Sequence, residues 1–484
     1  MQESKYDFGM VGLGVMGSNL LMNMADHGFA VIGYDKNPDK TKLFESSATK
    51  GTIVKGVNNL QEMIDLLKVP RKIMMLVPAG APVDSVLNDL MPVLAPGDIV
   101  IDGGNSHYTD TLRRVQILQD KGFHFMGIGI SGGEEGARKG PSIMPGGDRE
   151  AYRQVEPILK AVAAKVHDEP CVGYLGKDAA GHYVKMVHNG IEYSIMQLIS
   201  ECYDLLHKGF GYSNEELHRV FEEWNSGKMN SFLLEITAII FDRKDDKETN
   251  NYLVDMILDR AGAKGTGKWT SQEGLDIPMP IPTIDAAVMT RNLSSLLDER
   301  KEASNLYDTK IARINEDAKS FEGFLHDALF FSTIISYAQG LALLTKASEE
   351  LKMDIPLPEV VSVWRGGCII RSAMLDLFKS AYKDQALRNL LLDKKIAELL
   401  TEKLDGLQQV VSIAALNNFP CTAMMASLNY FNAYRRKLLP TNLIQAQRDF
   451  FGAHTYERTD REGIFHSEWE TAAETVSTKP IETN

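Results

Sequence analysis

Residues 181–193 read GHYVKMVHNGIEY and bring a lysine, a histidine, an asparagine and a glutamate together in one short stretch. On a helix Lys185, His188, Asn189 and Glu192 fall at i, i+3, i+4 and i+7, so all four share a face. Lys185 and Glu192 are then about 10 Å apart along the axis, from a rise of about 1.5 Å per residue. That is too far for an ion pair, which favours a spacing of four residues, but it suits a small substrate lying between a base and an acid. The chemistry open to such a set is proton transfer, with an amine of lowered pKa as base. Gly190 lies off this face and costs a helix interior about 1 kcal/mol relative to alanine; its place is explained if another backbone must come close. The plainer reading is an exposed polar stripe.

A second set stands near the N-terminus. Gly12-Leu13-Gly14-Val15-Met16-Gly17 follows an apolar run, opens the amphipathic stretch LLMNMADHG, and meets Asp35 at the end of a second apolar run. This is the context of a dinucleotide fingerprint: the glycines let backbone approach the pyrophosphate, and the helix N-terminus receives it. A carboxylate at Asp35 accepts a hydrogen bond from a ribose 2′-OH and repels a 2′-phosphate, which favours NAD. Lys36 is a cation that a phosphate would meet, although a solvated loop lysine is the simpler role. Gly103-Gly104-Asn105-Ser106 and Ser131-Gly132-Gly133 each follow an apolar run, where parallel sheets gather ligands. The second continues as GARKGPSIMPGG, read as a glycine- and proline-rich connection whose N–H groups suit an oxyanion; ordinary turn glycines are the alternative. AGAKGTGKW at 261–269 contains GxxxxGK, but Trp269 stands where Ser or Thr must bind Mg²⁺ and no strand precedes it, so an ATPase is rejected.

The elements that must position these groups are legible in outline. Apolar runs at 7–14, 30–35, 72–78, 98–104 and 123–131 alternate with helical stretches such as 16–27 and 83–94. Alternation of this kind predicts an α/β domain, Rossmann-like, with a mostly parallel doubly wound sheet over 1–178. From 179 the 3.6-residue period takes over, at 179–207, 214–225, 229–240, 322–350, 388–414 and 421–438, and predicts a large all-α domain over 179–440. The proline-bearing segment 274–285 breaks it as a fixed loop. A tail, 441–484, carries Phe, His, Tyr and Trp and is expected to dock on another subunit, with its last dozen residues disordered.

At 484 residues two or three domains are expected. A net charge of −13 argues against nucleic acid or an anionic membrane as partner and requires a locally basic pocket for any anionic substrate. Cys171, Cys202, Cys368 and Cys421 are far apart, with no metal-binding or disulfide spacing, which suits a reducing compartment. There is neither a signal-peptide pattern nor a run of eighteen apolar residues. The expectation is a cytoplasmic protein without metal.

GHYVKMVHNGIEY, SGGEEGARKGPSIMPGG, KGTGKWT, WRGGCIIRS and NLIQAQRDFFGAHTYE together resemble the decarboxylating 6-phosphogluconate dehydrogenases of the long, dimeric type, from the fingerprint to about residue 466. The resemblance implies oxidative decarboxylation of 6-phosphogluconate to ribulose 5-phosphate in the pentose phosphate pathway, with Lys185 as general base and Glu192 as the acid that protonates C1 of the enediol. It places substrate contacts on Asn105, Ser131, Gly132, Gly133, His188, Asn189, Tyr193, Lys264, Arg291, Arg448 and His454. Lys264, Arg291 and Arg448 fit a phosphate clamp. Arg448 and His454 lie in the tail, which in the family reaches into the partner's site, so a homodimer is implied. Cofactor contacts fall on Gly12–Gly17, Asp35, Lys36, Asn37, Val77, Pro78, Ala79 and Asn105. Many relatives carry Asn-Arg-Thr at 35–37 and Val-Lys-Ala at 77–79; the changes here to Asp35-Lys36-Asn37 and to Pro78 turn the family default of NADP toward NAD used at least as well. A 3-hydroxyisobutyrate-type dehydrogenase and a non-catalytic nucleotide-binding scaffold are the competing readings. The first is much shorter and needs neither Lys264 nor the RDFFGAH tail, and the second would be expected to have lost Lys185 or Glu192.

Overall fold

The computed structural model describes residues 5–247, 249–307, 313–383 and 387–469. Short apolar runs form buried strands: β1 (Phe8–Val11), β2 (Val31–Tyr34), β3 (Val54–Val57), β4 (Lys72–Met75), β5 (Ile99–Asp102), β6 (His124–Ser131) and β7 (Ser142–Gly147). They build one seven-stranded sheet in the order β3-β2-β1-β4-β5-β6-β7. Every pairing is parallel except β6 with β7. Helices α1 (Val15–Asp26), α2 (Pro38–Ser46), α3 (Leu60–Leu66), α4 (Ala81–Leu90), α5 (Tyr108–Gln119), α6 (Gly133–Lys139) and α7 (Arg149–Val162) supply the crossovers and flanks. Two apolar clusters result, one containing Met10, Leu20 and Met74 and the other Val11, Ile73 and Leu87. Neighbouring residues of one strand thus feed opposite faces, which makes the strands read as continuous apolar runs.

Two strands differ from expectation. β3 is Val-Lys-Gly-Val, too polar to stand out, and survives because it is an edge strand. The GARKGPSIMPGG segment is not a bare connection: it folds into α6 and then β7. Pro145 is tolerated there because β7 is the other edge, and the Pro145 carbonyl still accepts from the Leu175 N–H at 2.8 Å.

The long helix α8 (Ala180–Asp204), extended by a π turn at Leu205–Phe210, is the hub of the remainder. It packs on β6, β7, α11 (Thr266–Asp276), α12 (Pro282–Ser294) and α14 (Ala318–Glu350). Contact with the sheet is backbone to backbone. A Cβ on Gly181 would overlap the Gly127 and Met144 carbonyl oxygens, and one on Gly129 would stand 2.5 Å from the Cβ of Lys185. Glycine at these points presses Lys185 onto the end of β6. Further helices are α9 (Asn214–Asn225), α10 (Phe232–Asp242), α13 (Leu297–Leu306), α15 (Leu357–Trp364), α16 (Met374–Lys383), α17 (Lys394–Leu416), α18 (Thr422–Tyr434) and α19 (Asn442–Gly452). The proline-bearing segment shrinks to the short link 277–281, since Pro282 takes the first turn of α12, where its missing N–H costs nothing. α14 is long and apolar enough to cross a membrane, but 94% of its most apolar window is buried against protein, so it is a core helix.

The chain divides into two compact units, 1–428 and 429–484, with the boundary inside α18. The second unit holds α19 and a small hairpin, β10 (Tyr456–Glu457) with β11 (Ile464–Phe465); a similar two-stranded hairpin, β8 (Lys165–Val166) with β9 (Glu169–Pro170), lies in the first. The last dozen residues, expected to be disordered, lie outside the described residues.

Candidate active site

The fingerprint turn takes the expected form. Gly12 adopts φ +99°, and a Cβ on Gly17 would collide with the Gly12 carbonyl oxygen. Gly14 caps α1, whose first turn carries no acidic side chain, leaving its N–H groups and dipole open to an anion. Asp35 accepts from the Leu13 N–H at 2.8 Å and from the Asn37 N–H at 2.9 Å. It therefore ties the end of β2 to the glycine turn. Lys40 stands 3.8 Å from Asp35, and Lys36 turns to Asp89 at 3.6 Å.

A cleft of about 1100 Å³ opens at the carboxyl ends of the strands. Gly14, Val15, Met16 and Gly17, the Val77-Pro78-Ala79 turn, and Gly103, Gly104 and Asn105 line one side of it. Asn189, Glu192, Tyr193, Lys264 and Arg291 line the other. Asn105 sits at φ +54°, with its side chain locked on Ile130: Nδ2 donates to the carbonyl at 3.1 Å and Oδ1 accepts from the N–H at 3.0 Å.

The four polar residues of α8 do share a face. Lys185 is buried, its Nζ 3.3 Å from His188 Nδ1. His188, fully buried, faces Asn189 Oδ1 at 3.0 Å, Glu192 at 3.8 Å and Ser131 Oγ at 3.5 Å. Asn189 in turn donates to Thr266 Oγ1 at 2.9 Å. Burial lowers the Lys185 pKa, with Glu192 opposing, and pushes His188 well down, so the imidazole is neutral. Burial raises the Glu192 carboxyl, against the pull of Lys185 and Arg291. The amine and the carboxyl are thus driven toward one another's range, the environment an acid–base pair requires. Gly190 does serve a close approach, although the nearest group is a side chain: a Cβ there would stand 2.6 Å from Thr270 Cγ2 on α11.

Lys264 is exposed at the cleft edge, and the Arg291 guanidinium lies 3.4 Å over the Tyr193 ring while donating to the Gly262 carbonyl at 3.1 Å. Two cations thus face one cleft in an acidic chain. Ser131 ends β6; Gly132, at φ +111°, and Gly133, at φ +63°, begin α6 beside it.

Comparison with known proteins places the molecule. A family model described as the NAD binding domain of 6-phosphogluconate dehydrogenase matches residues 7–176, and one described as the 6-phosphogluconate dehydrogenase C-terminal domain matches 181–469. The chain belongs to the 6-phosphogluconate dehydrogenase family. A decarboxylating, NADP(+)-dependent 6-phosphogluconate dehydrogenase of Bacillus subtilis is 50% identical over 468 residues, covering 96% of this chain and 99% of its own. A decarboxylating relative from Synechocystis is 49% identical, with coverage of 96% and 98%. The solved 6-phosphogluconate dehydrogenase of Plasmodium falciparum, described as apo, with its cofactor NADP+ and with its substrate 6-phosphogluconate, superposes with a TM-score of 0.93 at 45% identity and covers 96% of this chain and 100% of its own.

As a 6-phosphogluconate dehydrogenase the chain also contains site-supporting residues that sequence reasoning passed over. Trp364 packs edge-on to His188, with ring centroids 5.9 Å apart, and the Gly367 carbonyl accepts from Ser142 N–H at 2.8 Å. Cys368 is buried near Lys185, and burial pushes its thiol pKa up to about 12. The paired glycines of WRGGCIIRS are the sequence sign of this loop pressed against other backbone. Arg448 and His454 belong to the unit 429–484. There Arg448 Nη1 donates to Gln445 at 3.2 Å, and His454 stands between Ala453 at φ +50° and Thr455 at φ +60°.

Proposed function

We propose that the chain oxidises 6-phospho-D-gluconate at C3 and releases C1 as CO₂, giving D-ribulose 5-phosphate, with a nicotinamide cofactor held by Gly12–Gly17, Asp35, Val77–Ala79 and Asn105. The observation that carries the reading is the α8 face: an amine lowered and a carboxyl raised by burial, on a face whose Asn189 and Glu192 line a cleft that also holds the fingerprint turn and two cations. The nicotinamide supplies a hydride acceptor. Neutral Lys185 takes the C3 hydroxyl proton as the C3–H bond breaks. The same group, now an ammonium, donates to the C3 carbonyl oxygen, drawing electrons as the C1–C2 bond breaks, so the enediol forms without a metal. Glu192, protonated, delivers its proton to the carbon that becomes C1 of the product. Lys264 and Arg291 hold the phosphate, and Asn105, Ser131, Gly132, Gly133, His188, Asn189 and Tyr193 hold the sugar acid. Formation of reduced cofactor with one CO₂ per turnover on adding 6-phosphogluconate tests this; a folded, inert dimer would support a scaffold instead.

On the cofactor, NAD is used at least as well as NADP. Asp35 presents a carboxylate at the end of β2, Pro78 brings no charge, and Lys36 and Lys40 each face an aspartate. The test is kcat/KM with both cofactors, and a large advantage for NADP refutes the preference.

The working parts are a cofactor domain over 1–178, a helical domain over 179–440 and a tail over 441–484 that completes the site of a second copy. In the tail, Leu443, Ala446, Phe450, Phe451 and Trp469 line one apolar surface pocket, which supports a homodimer. Its separate test mixes two inactive variants, Lys185→Met and Arg448→Ala. If Arg448 acts across subunits, random mixed dimers restore about a quarter of the activity; if it acts within its own chain, mixing restores none. The spaced, buried free cysteines accord with a cytoplasmic enzyme.

A further inference from the structure

Under the cofactor side of the cleft lies Arg114, on α5, only 1% exposed. Every N–H of its guanidinium is engaged. Nη1 donates to Asp102 Oδ2 at 3.3 Å and to Ser106 Oγ at 3.1 Å. Nη2 donates to the Gly80 carbonyl and to Asp84 Oδ2, both at 3.1 Å, and Nε donates to Asp84 Oδ1 at 2.9 Å. The partners flank two turns. Asp102 ends β5, and its other oxygen accepts from the Gly104 N–H at 2.9 Å, so Asp102 and Ser106 fix the turn that carries Asn105. Gly80 and Asp84 fix the turn after β4, which carries Val77, Pro78 and Ala79. The two turns touch: a Cβ on Gly104 would stand 2.6 Å from the Val77 carbonyl oxygen.

We propose that Arg114 is a positioning residue for hydride transfer, a buried clamp that sets the separation of the two turns that line the cofactor side of the cleft. The proposal rests on the reaction given above. Arginine suits the role because its planar fork reaches both loops at once, which a lysine ammonium on a flexible stem does not do. Loosening the fork leaves the α8 face and the phosphate cations untouched, so the larger fault falls on the cofactor and on hydride alignment, and the substrate loses at most its Asn105 contact.

The test uses Arg114→Lys, Ser106→Ala and Asp84→Ala in the full-length enzyme. Asp84 is about one-third exposed, and its removal leaves the buried Asp102–Arg114 contact in place, so that variant folds even if Arg114→Lys does not. We expect kcat/KM for the cofactor to fall roughly tenfold to a hundredfold, the cost of a small misplacement near reacting atoms. The KM for 6-phosphogluconate should rise by a smaller factor, through Asn105 alone, and the primary isotope effect from deuterium at C3 should grow as hydride transfer becomes more rate-limiting. Folded Asp84→Ala and Ser106→Ala enzymes with unchanged cofactor kinetics overturn the clamp, as does an equal rise in both KM values with an unchanged isotope effect. A wild-type chain that turns over no 6-phosphogluconate would instead overturn the reaction itself, so the two failures are distinct.

Discussion

Replacing Lys185 with methionine keeps the length of the side chain and removes the amine. In the proposed reaction that amine acts as base and then as hydrogen-bond donor to the new carbonyl. A positioned acid–base group contributes roughly 10²- to 10⁴-fold, or about 2.7–5.4 kcal/mol of barrier at about 1.36 kcal/mol per tenfold. Because one group serves both steps, kcat should fall toward the upper end, by about 10³ or more. The nearest polar contact of Lys185 is His188 at 3.3 Å, so the KM for 6-phosphogluconate should move little. Stability carries the opposite sign. Burial lowers the folded-state pKa of Lys185, whereas the unfolded chain holds its proton up to about pH 10.4. Between the lowered folded-state pKa and that value the unfolded state binds more protons, so wild-type stability rises with pH there, and the desolvation handicap is full below the folded-state pKa. Lys185→Met removes the handicap. It should unfold at a higher temperature than wild type at pH 7, with the gap closing toward pH 10. Steady-state kinetics and thermal unfolding at both pH values check this. A variant that keeps more than about 1% of kcat, or is equally destabilised at pH 7 and pH 10, refutes the reasoning.

The pH profile of kcat/KM should be bell-shaped, since activity needs Lys185 neutral and Glu192 protonated. Glu192→Gln should lower kcat and abolish the falling limb, and a profile that keeps it places the acid elsewhere. Arg291→Ala should raise the KM for 6-phosphogluconate about 10- to 150-fold, the worth of a charged hydrogen bond of about 1.5–3 kcal/mol, with the cofactor KM little changed; equal effects on both would remove Arg291 from the phosphate site. In the C-terminal unit Asp449 is buried, which pushes its pKa up, yet hydrogen bonds from His466, Trp469, Ser467 and Thr455 hold it at about 2. Its stabilisation is present above the ordinary aspartate range and is lost as pH falls toward 2. Asp449→Asn should therefore speed proteolysis after residue 449 at pH 7 and weaken turnover through His454, and unchanged cleavage would deny Asp449 its organising role.

The sequence showed the doubly wound sheet through β1, β2, β4, β5 and β6, because strands covered on both faces are apolar throughout. It did not show β3 or β7, where edge positions tolerate Lys55, Gly56 and Pro145. It marked the long helices through their period, but not α11, interrupted by Gly267 and Gly274, or α12, which follows Pro278 and Pro280 and opens on Pro282. The α8 stripe was readable because Lys185, His188, Asn189 and Glu192 sit on one element, where spacing alone fixes the face.

What the sequence determined by itself is therefore local: periods, the glycine turn, the four residues of one helix, and the family to which the blocks belong. Folding decided what lies opposite them. Gly129 and Gly181 let α8 settle on the sheet and bury Lys185, and Thr266 finds Asn189 from far along the chain. Arg114 joins two loops that no spacing rule connects. The physical reason is that desolvation and hydrogen bonding depend on neighbours in space. The Lys185 pKa is lowered here only because the rest of the chain closes over it.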